Sequence, residues 1–150
     1  MQPIPPGSPA PPIPGVDRVT GPSVVFFYKV TCPTCQVAAP VAERFAGALP
    51  GRFVGVGQDP REKLDQFAEE LATSFVSVPD EPPYELSNAY GVRTVPTLFV
   101  LDDGEVVDVV ESWDREGWNR AAALVAERAG TGPVESLSHE GDGLPPFRPG

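Results

Sequence analysis

The sequence predicts an α/β protein whose mixed central sheet is covered by helices on both faces. Three observations carry that expectation. Short runs rich in Val and Phe alternate with segments of helical apolar period. Two late strand-like runs are separated only by Asp102-Asp103-Gly104, hairpin-turn chemistry that pairs them antiparallel. The chain's only cysteines, Cys32 and Cys35, stand in Thr31-Cys32-Pro33-Thr34-Cys35, between a strand-like stretch and a helix-like one.

Taken in order, Ser23 to Tyr28 is a continuous apolar run that suits a buried central strand. After the cysteines, Ala38, Val41, Phe45 and Ala48 fall on one helical face, and Pro40 is expected to interrupt and kink that helix early. Phe53 to Gly57 reads as the next strand. Asp59-Pro60 reads as a helix start, with a capping carboxylate, proline at the first helical position and Glu62 completing a capping box. That helix runs to about Thr73, its stripe of Leu64, Phe67, Ala68 and Leu71 packing in the core. Phe75 to Val78 is a short strand, and Pro79 to Pro83 breaks the chain before a brief helix ending at Gly91. Thr97 to Leu101 and Glu105 to Val110 form the hairpin. Asp114 caps a last helix with Trp118, Ala122, Val125 and Ala129 on one stripe, and Gly130 stops it. Trp113 and Trp118 read as core or near-site packing.

Residues 1–20, with seven prolines, read as a flexible arm, and residues 131–150, rich in Gly and Pro, as a flexible tail. Residues 21–130 form the folded domain. A length of 150 with 41% hydrophobic content fits one soluble domain, for which a monomer is expected. A net charge of −10 argues against nucleic acid or an anionic membrane as partner. No apolar run approaches the roughly 18 to 20 residues of a membrane span, and the N-terminus lacks the basic start and apolar stretch of a leader. The expectation is a cytoplasmic protein, with an exported or anchored form open if a leader or anchor once preceded the proline-rich stretch.

A C-x-x-C that ends a strand and opens a helix places its first sulfur where unpaired amides and the helix dipole favour the thiolate. The thiolate is the reactive form, so the placement points to an activated nucleophile with a partner in reach. Zinc wants four N/S ligands, and the chain offers two cysteines and His139, far away in the polar tail. A disulfide closing so short a loop removes little unfolded-state entropy and is usually strained. Dithiol redox chemistry, needing neither metal nor cofactor, is the favoured reading.

Between about residues 20 and 130 the chain resembles the thioredoxin superfamily, and more narrowly its TlpA-like thiol-disulfide oxidoreductases. Four features carry the resemblance: Cys32-Pro33-Thr34-Cys35 after the first core strand, Pro40 in the following helix, the segment Tyr90-Gly91-Val92-Arg93-Thr94-Val95-Pro96-Thr97, and the closing hairpin and helix. The extra helix and strand between Asp59 and Val78 turn it toward the TlpA-like and peroxiredoxin-like branch. The resemblance implies a thioredoxin-like fold with an α-β insertion before a cis proline at Pro96. It implies Cys32 as nucleophile and Cys35 as resolving thiol. It also implies that Val95, Pro96, Pro33 and Thr34 line the place where an extended disulfide substrate docks, largely through its main chain. Partners would be a protein or small-molecule disulfide and a separate thiol/disulfide electron donor.

The chain departs from the family at three positions. Phe26 stands where thioredoxins carry a buried carboxylate, Ala38 where several TlpA-like reductases carry a glutamate, and Thr31 where a tryptophan is common. Deprotonation of Cys35 then falls to water, to Lys29 or Glu43, or to the substrate's own thiolate. A disulfide reductase is the leading expectation. A thiol peroxidase is the alternative within the same fold branch, although Lys29 and Val25 replace the threonine and proline of the peroxiredoxin Pro-x-x-x-Thr-x-x-Cys pattern. A redox-sensing binding module using the groove at Val95-Pro96 and the proline-rich arms is the other.

Overall fold

The computed structural model describes residues 1–16 and 21–150; residues 17–20 of the N-terminal arm lie outside the described residues. The elements run β1 (Ser23–Tyr28), α1 (Pro33–Ala48), β2 (Phe53–Gly57), α2 (Arg61–Leu71), β3 (Ser77–Pro79), α3 (Glu85–Tyr90), β4 (Thr97–Asp102), β5 (Glu105–Glu111), β6 (Trp113–Asp114), α4 (Arg115–Ala129) and β7 (Phe147–Arg148). Five strands form one sheet in the order β3-β2-β1-β4-β5. β1 is parallel to β2 and antiparallel to β4, β2 is parallel to β3, and β4 is antiparallel to β5. This is the thioredoxin-like mixed α/β arrangement, with α2 and β3 forming the insertion before Pro96.

Central β1 is buried along its whole length, and its alternate residues feed two cores. Val24, Phe26 and Tyr28 face the layer of α1, α2 and α4. Val25 and Phe27 face Tyr90 at the end of α3 and Val92 just beyond it. The hairpin turn is made as its chemistry requires: Asp103 and Gly104 both have positive φ, 51° and 76°, the left-handed pair that matches the twist of the flanking strands.

Several local expectations shift. Helix α1 runs on through exposed Pro40 to Ala48, so the proline does not end it. Ala48 is exposed, and Leu49 takes the buried position beyond the helix. Helix α2 begins one residue late, with Pro60 at its N-cap and no side-chain cap, because the Asp59 carboxylate is engaged elsewhere. β3 starts at Ser77, not Phe75, since the Phe75 ring turns into the cluster of Phe26, Tyr28 and Phe53. Asp114 stands at the N-cap of α4 without making a side-chain capping bond.

The terminal segments differ most from a picture of free arms. Residues 1–16 run along the second face and the β5 edge, where Gly7 N–H donates to Val106 O (2.8 Å), Val106 N–H to Ser8 O (2.9 Å) and Ala10 N–H to Gly104 O (2.8 Å). Ile4, Ala10, Ile13 and Val16 supply the apolar contacts that proline content obscures. The arm thereby covers a sheet edge that would otherwise offer unpaired backbone groups. The C-terminal segment buries Leu137 and Ser138, and Arg115 reaches Ser138 Oγ, Asp142 Oδ1 and Leu144 O within it. It ends as β7, antiparallel to β6.

Candidate active site

Where β1 gives way to α1, Cys32 takes the N-cap position with extended backbone, φ −82° and ψ 115°, and Pro33 follows as the first helical residue. The cap is made by sulfur: the Cys35 N–H donates to Cys32 Sγ at 3.1 Å. Beneath, Cys32 N–H donates to Lys29 O at 3.1 Å, and Asp59 Oδ2 accepts from Val30 N–H at 2.9 Å. The loop carrying the first cysteine is thus tied to the end of β2. Asp59 fixes this turn instead of capping α2, a role visible only when residues 30 and 59 meet.

The two thiols are unbridged and sit in different surroundings. Cys32 is half-buried and Cys35 is fully buried. The hydrogen bond from the Cys35 thiol, the backbone N–H groups of Cys35 and Thr34, and the Arg148 charge outweigh desolvation and draw Cys32 down to about 6. Burial, reinforced by the bond to Cys32 and by the negative charges of Cys32 and Asp59, pushes the Cys35 thiol well up. One sulfur is therefore prepared to be charged at neutral pH while its neighbour holds its proton.

Across from the pair, the Val95–Pro96 peptide is cis and the Val95 carbonyl oxygen lies 3.5 Å from Cys32 Sγ, where it accepts from the sulfur in its thiol form. Val95 is half-buried, Pro96 and Thr34 are buried, and Pro33 is exposed. The six residues singled out in the sequence thus converge on one end of the sheet. Thr34 is covered by the chain itself: its hydroxyl donates to Pro149 O at 2.7 Å and accepts from Arg148 Nε at 3.1 Å. Asp59 and Arg148 reach this site without a local signal in the sequence, save the aromatic-basic pair Phe147-Arg148 set between prolines.

The two side chains considered for proton transfer from Cys35 are placed elsewhere. Glu43 lies two helical turns beyond Cys35, about 12 Å along the axis, and its carboxylate accepts from Ser74 N, Ser74 Oγ and Phe75 N. Lys29 Nζ sits over the Tyr84 ring, 5.6 Å from its centroid. Phe26 is stacked on Tyr28 at 5.0 Å and meets Trp118 edge-on at 5.5 Å, so aromatic packing fills the place of a relay carboxylate. His139 is exposed in the tail. Trp113 and Trp118 are fully buried, 5.3 Å apart, and Trp113 Nε1 donates to Pro145 O.

A dithiol at a strand-to-helix turn, facing a cis proline on a sheet of this order, defines a member of the thioredoxin superfamily. Within it, the chain belongs to the AhpC/TSA family, whose pattern matches residues 16–110. The "Thiol:disulfide interchange protein DsbE" of Xylella fastidiosa is 26% identical over 106 residues, covering 70% of this chain and 52% of that protein. The chain therefore spans about half the length of the curated relatives first matched. Among solved structures, "MTB dsbF in its mixed oxidized and reduced forms" is 28% identical with a TM-score of 0.61, covering 70% of this chain and 81% of that one. The thioredoxin domain of a thiol-disulfide oxidoreductase from Bacteroides vulgatus shares the fold at 20% identity and a TM-score of 0.68, covering 81% of this chain and 99% of that one.

Proposed function

We propose that the protein is a thiol-disulfide oxidoreductase working as a protein disulfide reductase, with Cys32 as nucleophile and Cys35 as resolving thiol. The single observation that carries this reading is the split environment of the pair, in which Cys35 donates to Cys32 Sγ and so supports charge on the sulfur nearer solvent. The Cys32 thiolate attacks one sulfur of a substrate disulfide, forming a mixed disulfide and releasing one substrate thiolate. Cys35 then loses its proton and attacks Cys32 Sγ, and the second substrate thiolate leaves. Substrate gains two electrons and Cys32-Cys35 becomes a disulfide, which an external dithiol protein reduces again. With Lys29 and Glu43 both engaged elsewhere, the departing substrate thiolate or water accepts the Cys35 proton.

Val95, Pro96, Pro33 and Thr34 form the docking surface in this reading, supported by the 3.5 Å contact of Cys32 Sγ with Val95 O. The reducing direction is part of this proposal. Its test is the potential of the Cys32-Cys35 pair in glutathione or dithiothreitol buffers: about −270 mV supports a reductase, whereas about −120 mV makes the protein an oxidant and overturns the direction. Insulin disulfide reduction retained by Cys32→Ser would overturn the assignment itself. Rapid, Cys32-dependent consumption of hydrogen peroxide would replace it by the peroxidase reading.

A further inference from the structure

The segment over Thr34 is the protein's own. β7 pairs antiparallel with β6, placing Trp113 opposite Arg148 and Asp114 opposite Phe147. The chain is thereby carried from Pro146 to Gly150 across the mouth of the dithiol. Residues 145–150 are all exposed, yet Thr34 beneath them is only 4% exposed. Besides the two bonds at the Thr34 hydroxyl, Gly150 N–H donates to Ser112 Oγ at 3.1 Å, and Ser112 N–H in turn donates to Pro96 O at 2.8 Å. Gly150 lies so close to the Val95 carbonyl and Thr94 Oγ1 that a Cβ there would collide with both. The tail therefore rests on the same Val95 carbonyl that faces Cys32 Sγ.

We propose that residues Pro146–Gly150 occupy the site where a substrate's extended segment docks, and that this site selects a protein disulfide flanked by a basic, strand-forming segment. The inference rests on the exchange reading given above. Its physical content is that an extended backbone is held by β6 pairing and by two hydroxyls, Thr34 and Ser112, with one side-chain bond, from Arg148 to Thr34, added to this main-chain recognition. The preference for a basic residue comes from Arg148, whose guanidinium bonds Thr34 and whose charge favours the Cys32 thiolate. A small residue fits against Val95, as Gly150 does. The tail carries no cysteine, so it fills the groove without being turned over. Because it is attached, it competes at high effective concentration, and an incoming chain must displace it.

The test uses the full chain carrying Arg148→Ala and Gly150→Ala together, which removes one anchor and drives the other end off Val95. At pH 8, turnover of insulin is measured against turnover of hydroxyethyl disulfide, a substrate with no segment to dock. The insulin-to-small-disulfide ratio should rise about fivefold in the variant, the effect of roughly one hydrogen bond. The peptide Pro-Pro-Phe-Arg-Pro-Gly should inhibit the variant competitively and the parent protein much less. Among synthetic peptide disulfides, an arginine-flanked one should be reduced faster than a glutamate-flanked one. An unchanged or lower ratio with hydroxyethyl disulfide still reduced overturns the proposal, as does equal use of the two synthetic peptides. If the parent reduces neither substrate, the exchange reading falls, and the docking site is decided by peptide titration of the variant. Shifts at the Thr34 and Ser112 amide resonances support it, and their absence overturns it.

Discussion

The backbone N–H of Cys35 points at the sulfur of Cys32 from 3.1 Å, so Cys35 stabilises charge on the Cys32 sulfur before any substrate arrives. The sign follows directly. A thiol drawn down to about 6 is a thiolate above that pH and regains its proton as pH falls through it. Iodoacetamide modification of the reduced protein should follow one titration with its midpoint near 6, and peptide mapping should find Cys32 labelled and buried Cys35 spared. A midpoint near the ordinary cysteine value of about 8.5 would show that the hydrogen bonds do not act as described.

The Asp59 carboxylate grips the loop that carries Cys32, accepting from Val30 N–H at 2.9 Å. Asp59→Ala removes a charged acceptor and should cost about 2 kcal/mol, within the range for hydrogen bonds to ionised groups. Asp59→Asn keeps an oxygen in place and should cost roughly half as much. Urea denaturation of the reduced protein measures both. Equal losses for the two variants would mean that the acceptor oxygen is not what holds the turn.

Phe26 replaces a proton relay with packing, and the consequence is measurable. Its ring meets Tyr28, Phe53, Phe75 and Trp118 with centroids 5.0 to 5.8 Å away. Phe26→Ala should cost about 3 to 5 kcal/mol by cavity formation, and Phe26→Asp more, since a carboxyl there has no polar partner. Chemical denaturation decides it. A well-folded Phe26→Asp chain with accelerated turnover would mean that the site tolerates a relay after all.

Sequence periodicity and turn chemistry sufficed where the determinants are local. The all-apolar run of β1, the Asp103-Gly104 turn and the cysteines at a strand-to-helix junction each depend on residues within a few positions of one another. What failed to show depends on distant contacts. Thr34 and Pro149 are 115 positions apart, and Asp59 meets Val30 across 29. A proline-rich stretch reads as solvated because proline donates nothing, yet each proline still offers a carbonyl, and Pro11, Pro145 and Pro149 use theirs. Asp59 likewise has the composition of a cap, and only the fold reveals that its oxygen is taken.

The N-terminal arm is held at Tyr90, whose hydroxyl donates to Pro11 O at 2.6 Å. Burial pushes this phenol up to about 12, so it remains a donor throughout the physiological range. Tyr90→Phe keeps the ring contacts with Phe27 and Phe99 and deletes only that bond. The loss should be about 1 kcal/mol and local to the arm. Hydrogen exchange at the Gly7 and Ala10 amides, which bond Val106 and Gly104, should then accelerate about fivefold. Exchange at Val25 and Phe99 in the central strands should follow only the global change in stability. Uniform acceleration across all four amides would show that the arm and the sheet open as one unit, and that Tyr90 is not a separate fastening.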